Sequence, residues 1–387
     1  MIDLPKRGVA TGVVRPKQRD TNRTSTAVAD RIVTARDLAW RKFKRHRLGM
    51  VSAAVLLVVY LVCAFAEFFA PYHPEESSSY FYLPPQRVHF ADAAGKFNLR
   101  PFVYGLTKEV DLQSFQVKYT ENRDERRPVH FLVQRPKAIA GPGRQQQRIV
   151  LYGVDEPGSI YLLGTDYRGR DLLTRILHGG RVTLTIGLFG VFVSSVLGAV
   201  LGTISGYFGG LVDNLIQRLI EVLSSIPTLP LWLALAAILP PTWPSTYVYW
   251  GIVMILAILG WTGLGRQIRA KVLSIKERDY VMAARACGAG HERIMFRHII
   301  PNVISHIIVI VTLALPEMIL AESSLSFLGL GIKPPLASWG LLLQDAQSLH
   351  VIRTAPWIML PGVFIVITVL CFNFLGDGLR DAMDPYN

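Results

Sequence analysis

The sequence predicts an all-α polytopic membrane protein with six transmembrane helices and a small extracytoplasmic insert, α/β or β-rich. Three observations carry this. Hydrophobic residues fill 51% of the 387 positions and charged residues only 18%. The apolar residues gather in uncharged runs long enough, at roughly 18 residues or more, to cross a bilayer core of ~30 Å as a helix. The basic residues gather beside those runs.

The net charge of +13 raises the question of nucleic acid, and its placement answers it. Thirteen of the 41 Lys and Arg residues lie in the first 48 positions, and eight more lie between Arg266 and Arg297. Bases that flank hydrophobic runs mark cytoplasmic loops of a membrane protein, and no nucleic-acid partner is expected. Cys63, Cys287 and Cys371 are too far apart for a CxxC zinc site or a disulfide framework, so they read as small packing residues and no metal is expected. The leader before the first run is longer than a secretory signal allows, so that run reads as a retained anchor.

The elements follow in order. Residues 1–48 form a basic tail, disordered to about residue 30, then either an amphipathic surface helix over 31–48 or a flank that only fixes orientation. The first span is 49–70. Residues 71–181 are polar, with HFLVQ and RIVLYGV as strands, and form the insert. Five spans fill 182–380: about Val182–Tyr207, one within Ile220–Leu239 despite Pro227 and Pro230, Tyr247–Gly263, Val303–Leu325 and Ile358–Leu375. A short tail, 381–387, closes the chain. Both termini and the basic loop 264–304 then fall inside, while the short outer loops carry only Lys333 and Arg353.

The segment Asp279–Asn302, DYVMAARACGAGHERIMFRHIIPN, is the most informative. Asp279 can cap a two-turn helix over Tyr280–Cys287 that Gly288 ends. Ala283, Ala284 and Ala286 give it a face with little bulk, suited to lie against another protein. A second helix over His291–Ile300 would stop at Pro301. The pair makes a bar across the bundle end that a partner could push.

This stretch resembles the EAA loop of membrane subunits in ATP-binding-cassette importers. Ala283, Ala284, Gly288, His298, Pro301 and Asn302 match that pattern, beside Tyr280, and Met282 stands where the family usually has Glu. LGTDYRGRDLLTRILHGGRVTLTIG and AESSLSFLGLGIKPPLASWG resemble two further segments of the dipeptide, oligopeptide and nickel permease group. The resemblance covers about 31–70 and 160–387. It implies a type I importer permease fold in a bacterial or archaeal inner membrane. It also implies a second, non-identical permease subunit, two ATPase subunits that bind the ATP and Mg, and an extracytoplasmic solute-binding protein. The cargo it implies is small peptides, with oligosaccharides or nickel complexes as alternatives.

The chain has no phosphate-binding GxxxxGK[ST] loop, no HExxH and no GxSxG, so it is expected to be neither an enzyme nor a cofactor binder. A self-sufficient secondary transporter is the rival, but the two halves show no internal repeat. Glu317 and Glu322 read as pathway or gate carboxylates, or as interfacial helix-end residues. Asp166, Arg168, Arg170, Asp171 and Arg175 read either as a contact for the binding protein or as an internal ion-pair network. His298 is either a pH-sensitive group or a packing residue at the loop's foot. Gly329, Gly331, Pro334 and Pro335 read as a re-entrant turn.

Overall fold

A computed structural model describes residues 35–91, 97–110, 117–137 and 146–383. The expected disordered tail lies outside the described residues. Helix α1 spans Ala35–Arg45, within the expected amphipathic stretch, with Phe43 buried and Trp40 exposed. Helix α2, Arg47–Ala64, is the first span, and the short α3, Ala66–Phe69, ends it.

The insert is β-rich rather than α/β among the described residues. Strands β1 (His89–Ala91), β2 (Phe97–Val110) and β3 (Val117–Pro128) form an antiparallel sheet in that order, with a bulge at Tyr104/Gly105. Strands β4 (His130–Lys137) and β5 (Gln146–Gly153) form an antiparallel pair. These are the two runs whose alternation marks strands. Val103, Val129, Tyr152, Val154 and Ile160 make a small core that also takes in Leu173, which seats the insert on the end of the bundle.

Helix α4 runs from Leu172 to Phe208, starting ten residues before the expected span. Asp171 caps it, accepting from the Thr174 amide at 2.8 Å and the Thr174 hydroxyl at 2.6 Å. At 37 residues α4 exceeds a bilayer crossing, so it projects from the membrane. Gly198, Gly202 and Gly206 line one of its faces. A Cβ on Gly202 would lie 2.5 Å from the Gly265 carbonyl oxygen, so this stripe lets α4 lie backbone to backbone on α7, Ser245–Ile275.

The third expected span is not one helix. Helices α5 (Gly210–Ser225) and α6 (Thr228–Ala237) meet at 88°. Pro227 biases Ile226 to extended backbone and removes a helix donor, so the chain breaks there. Among the described residues, five helices are long and apolar enough to cross a membrane, and the bent pair makes six if it forms one span.

After the short helix α8 (Asp279–Ala286), α9 (His291–Arg293) continues through a π-helical turn, Ile294–Ile299, into α10, Ile300–Phe327. The expected stop at Pro301 does not occur. The wider π turn accommodates a ring that lacks an N–H, so proline stands in the first turn of α10 instead of ending a helix. Beyond α10 the chain returns through α11 (Trp339–Leu342) and α12 (Leu349–Thr354) to the last span, α13, Leu360–Met383. Trp339 is fully buried and its indole donates to the Ile176 carbonyl at 2.9 Å, whereas of the residues expected to form a re-entrant turn only Gly331 is buried and Gly329, Pro334 and Pro335 are exposed.

Candidate functional site: helix α8 and the buried polar network

Helix α8 is held by little. Val281 is fully buried among Val272, Ile275, Ile294 and Ile299, whereas Tyr280, Met282, Ala283, Ala286, Cys287 and Gly288 are exposed and Ala284 is half-buried. Cys287 is therefore not the packing residue its small size suggests. Asp279 does not cap the helix: Arg278 is the cap residue and makes no side-chain cap bond, while Asp279 sits in the first turn, where a carboxylate still complements the helix dipole. Gly288 ends α8 as expected, at φ +77°. Its amide donates to the Arg285 carbonyl at 3.0 Å and the Ala289 amide to Ala284 at 3.1 Å, which satisfies the last turn and needs the left-handed conformation.

Two contacts missed in the sequence tie α8 and α9 to the bundle. The Tyr207 hydroxyl, at the end of α4, lies 2.9 Å from His291 Nδ1, and the Arg285 guanidinium lies 5.8 Å from the Tyr207 ring centre. One turn deeper, Arg269 of α7 donates through two nitrogens to Asp213 of α5, both at 2.5 Å, and Ser205 of α4 donates to the same carboxylate. Such a two-pronged pair fixes geometry as well as charge. His298 is half-buried and its carbonyl accepts from Asn302 at 2.7 Å, while Pro301 and Asn302 are exposed.

The opposite end of the bundle is closed. Asp166, Arg170, Asp171 and Arg175 are buried, and only Arg168 of the expected binding-protein contacts is exposed. Asp166 accepts from Arg170 at 2.8 Å and from Arg175 at 2.5 Å, and Arg170 reaches Glu75 at 3.2 Å. Charges with almost no surface present nothing to an incoming protein, so Asp166, Arg170 and Asp171 form an internal network. Burial pushes the Asp171 carboxyl up to about 7 against the pull of its Thr174 bonds. Burial raises Asp345 to about 6, and the negative charge of Asp166 adds to the rise.

Glu322 has no exposed surface and accepts from Thr183 at 3.0 Å and Ser326 at 2.7 Å. It joins α10 to α4 inside the protein near the end of α10. Glu317 is exposed on α10. Among the described residues, no group of three or more His, Cys, Asp or Glu is placed to hold a metal.

A bundle of helices long and apolar enough to cross a membrane makes this a polytopic membrane protein. The chain belongs to the family of binding-protein-dependent transport system inner membrane components, whose model matches residues 198–386, and it is a permease subunit of an ATP-binding-cassette importer. The N-terminal transmembrane domain of oligopeptide transport permease C matches residues 34–85. Over 230 residues the chain is 43% identical to the oligopeptide transport system permease protein OppC of Escherichia coli K12, covering 58% of this chain and 72% of that protein. It is 40% identical over 230 residues to the dipeptide transport system permease protein DppC of Alkalihalophilus pseudofirmus, covering 59% and 73%. A chain of the MetNI methionine ABC transporter, solved in inward-facing form, aligns with 54% of this chain and 96% of its own length, at 16% identity and a TM-score of 0.43.

Proposed function

We propose that this permease forms half of the pathway of a peptide importer, beside a second, non-identical permease, and takes its drive from a separate ATPase that docks on α8. ATP and Mg belong to that partner, and a binding protein delivers the cargo outside. The observation that carries the reading is the exposed, small-residue face of α8 at Ala283 and Ala286, anchored through the single buried Val281. A helix with so little of its surface committed to its own chain can rest in another protein's cleft. Met282 puts an exposed, uncharged side chain at the edge of that face, so apolar contact rather than an ion pair holds the partner there. The bases near α8 and in α1 support a cytoplasmic side for both termini and α8, with the β-rich insert outside. The peptide cargo is inferred from what the relatives are named for, since no side chain here singles out a solute.

The test is a cysteine at Ala283 in a Cys287→Ser background, with the ATPase co-expressed. Ala283 suits this better than the half-buried Ala284. Covalent capture that changes with nucleotide is expected. An inserted, folded protein with no capture at Ala283 or Ala286 would sink the docking assignment.

Glu317 is assigned to the pathway. Helix α10 packs on α4 through Ile319 and Gly187, on α7 through Met318 and Gly260, and on α13 through Leu313 and Gly376. The strip left open carries His306, Glu317 and Leu320. A carboxylate held in the membrane outside any protein contact in its own chain faces water or a partner, because lipid costs it about 2.5–3.5 kcal/mol or more. Glu317→Gln is expected to lower uptake at unchanged membrane abundance, and normal uptake would remove it from the pathway.

A further inference from the structure

Where α1 turns into α2, two adjoining open depressions of about 250 and 580 Å³ lie against the end of α13. They share His46 and Asp381. Lys42 and Arg45 line the first, and Leu48, Phe374, Asp377 and Arg380 line the second. The geometry has a local cause. Helices α2 and α13 cross at two glycines, where a Cβ on Gly49 would lie 3.4 Å from the Gly378 Cα. Phe43 and His46 close over the two glycines, Phe43 Cε2 lying 3.2 Å from where a Cβ on either would stand, and the polar groups of α1 and α13 surround a notch beside them. His46 Nδ1 accepts from the Gly49 amide at 3.0 Å and caps α2, which leaves Nε2 directed at Asp381, 3.8 Å away.

The rim carries both signs of charge. Arg45 and Arg380 are exposed, as are Asp377 and Asp381. Leu48 and Phe374 are exposed too, and they begin and end the apolar surfaces of α2 and α13. The notch therefore sits where a membrane helix meets the headgroup layer, with bases, carboxylates and hydrocarbon contacts within one hollow.

We propose that this notch binds the headgroup of an ethanolamine phospholipid. The phosphodiester lies against Arg45 and Arg380, the primary ammonium against Asp377 and Asp381, and the acyl chains run along Leu48 and Phe374. A purely anionic headgroup meets the bases but brings no donor to Asp377 and Asp381. A choline headgroup has no N–H to donate to them. A soluble phosphate makes no use of the two exposed apolar side chains. The inference rests on the chain's membership of a membrane family and not on the docking of an ATPase at α8, so either can fail without the other.

Native mass spectrometry of the purified full-length chain tests it, after exchange into lipids with matched acyl chains and ethanolamine, choline or glycerol headgroups. The ethanolamine lipid is expected to be retained over the choline lipid in the wild type. Arg380→Gln should lower its retention about fivefold, the loss expected of one base near a membrane surface. Asp377→Asn should lower ethanolamine retention while leaving glycerol-lipid retention unchanged or higher. Equal retention of ethanolamine and choline lipids by the wild type would overturn the proposal without reference to any variant. Preference for the glycerol lipid with no effect of Asp377→Asn would make this an ordinary anionic-lipid site, and displacement by millimolar inorganic phosphate would make it a soluble-anion site; each overturns it equally.

Discussion

The two ends of the bundle are built on opposite plans. At the end that bears the insert, the outer one in the reading proposed above, Asp166, Arg170, Arg175 and Glu75 form a network that is largely buried, Asp171 caps α4 from a closed site, and the Trp339 indole is tied to the Ile176 carbonyl. At the α8 end, the inner one in the reading proposed above, α8 is anchored through one buried valine and the Arg285–Tyr207 contact, while Tyr207 also meets His291 of α9, and most of the surface of α8 is open. Buried charge networks fail abruptly when one member is lost, because the others are left unpaired away from water. A thinly anchored helix can shift without such a cost. The contrast suits a machine whose outer end keeps its shape while its inner end is moved, the rigid-body kind of switch in which one element carries the displacement.

The largest effect should come from breaking the outer network. Asp166→Asn leaves Arg170 and Arg175 buried without the carboxylate that joins them. A loss of about 3–5 kcal/mol is expected, the range for removing one partner of a buried pair. Thermal melting of the detergent-solubilised protein reads it directly. A melting temperature within a degree or two of wild type would mean that the network contributes little and that the two ends are not built differently.

Asp171 gives a second, pH-dependent probe of the same end. Its carboxyl is pushed up to about 7 by burial, from an ordinary value near 3.8. The folded state then holds a proton that the unfolded state has released, across the window between those two values. Stability from this group is greatest at low pH, falls as pH rises from about 4 to 7, and is flat above. Its span is at most about 4 kcal/mol. Asparagine also caps helices, so Asp171→Asn keeps the amide bond to α4 and removes the titration. The difference in melting temperature between wild type and Asp171→Asn should shift against the wild type as pH is raised through this window. A difference that stays constant with pH would show that Asp171 is ionised throughout.

How much of this was legible in the sequence follows the same division. The long apolar runs show five spans plainly, because membrane helices must satisfy their own backbone and therefore write themselves as uninterrupted apolar stretches. The sixth was legible as composition but not as shape, since Pro227 breaks the run in a way hydropathy does not register. Gly288 announced the end of α8 because its left-handed backbone is a local demand. Pro301 misled for the complementary reason: a π turn absorbs it, and that turn depends on packing. The burial of Asp166, Arg170 and Asp171 was open between two readings, as a cluster of charges looks the same on a surface and in a network. The Tyr207–His291 and Asp213–Arg269 pairs join residues 84 and 56 positions apart, and no local pattern signals them. The spacing of Gly198, Gly202 and Gly206 was available as a small-residue stripe and would have placed α7 against α4.

The smallest effect bears most directly on the inner end. Tyr207→Phe keeps the ring that sits beside Arg285 and removes only the hydroxyl that meets His291. The change in overall stability should be about 1 kcal/mol, the usual net worth of one hydrogen bond. The consequence for transport should be larger than that figure suggests. This contact is one of few that make the end of α4 follow the loop bearing α8, so its loss lets the loop move while α4 stays. The expected signature is ATP hydrolysis near the wild-type rate with less solute imported per ATP, measured in proteoliposomes of the whole importer. Equal coupling in the variant would mean that the displacement reaches the membrane helices by another route, the Asp213–Arg269 pair being the nearest, and that the Tyr207–His291 contact only positions a loop.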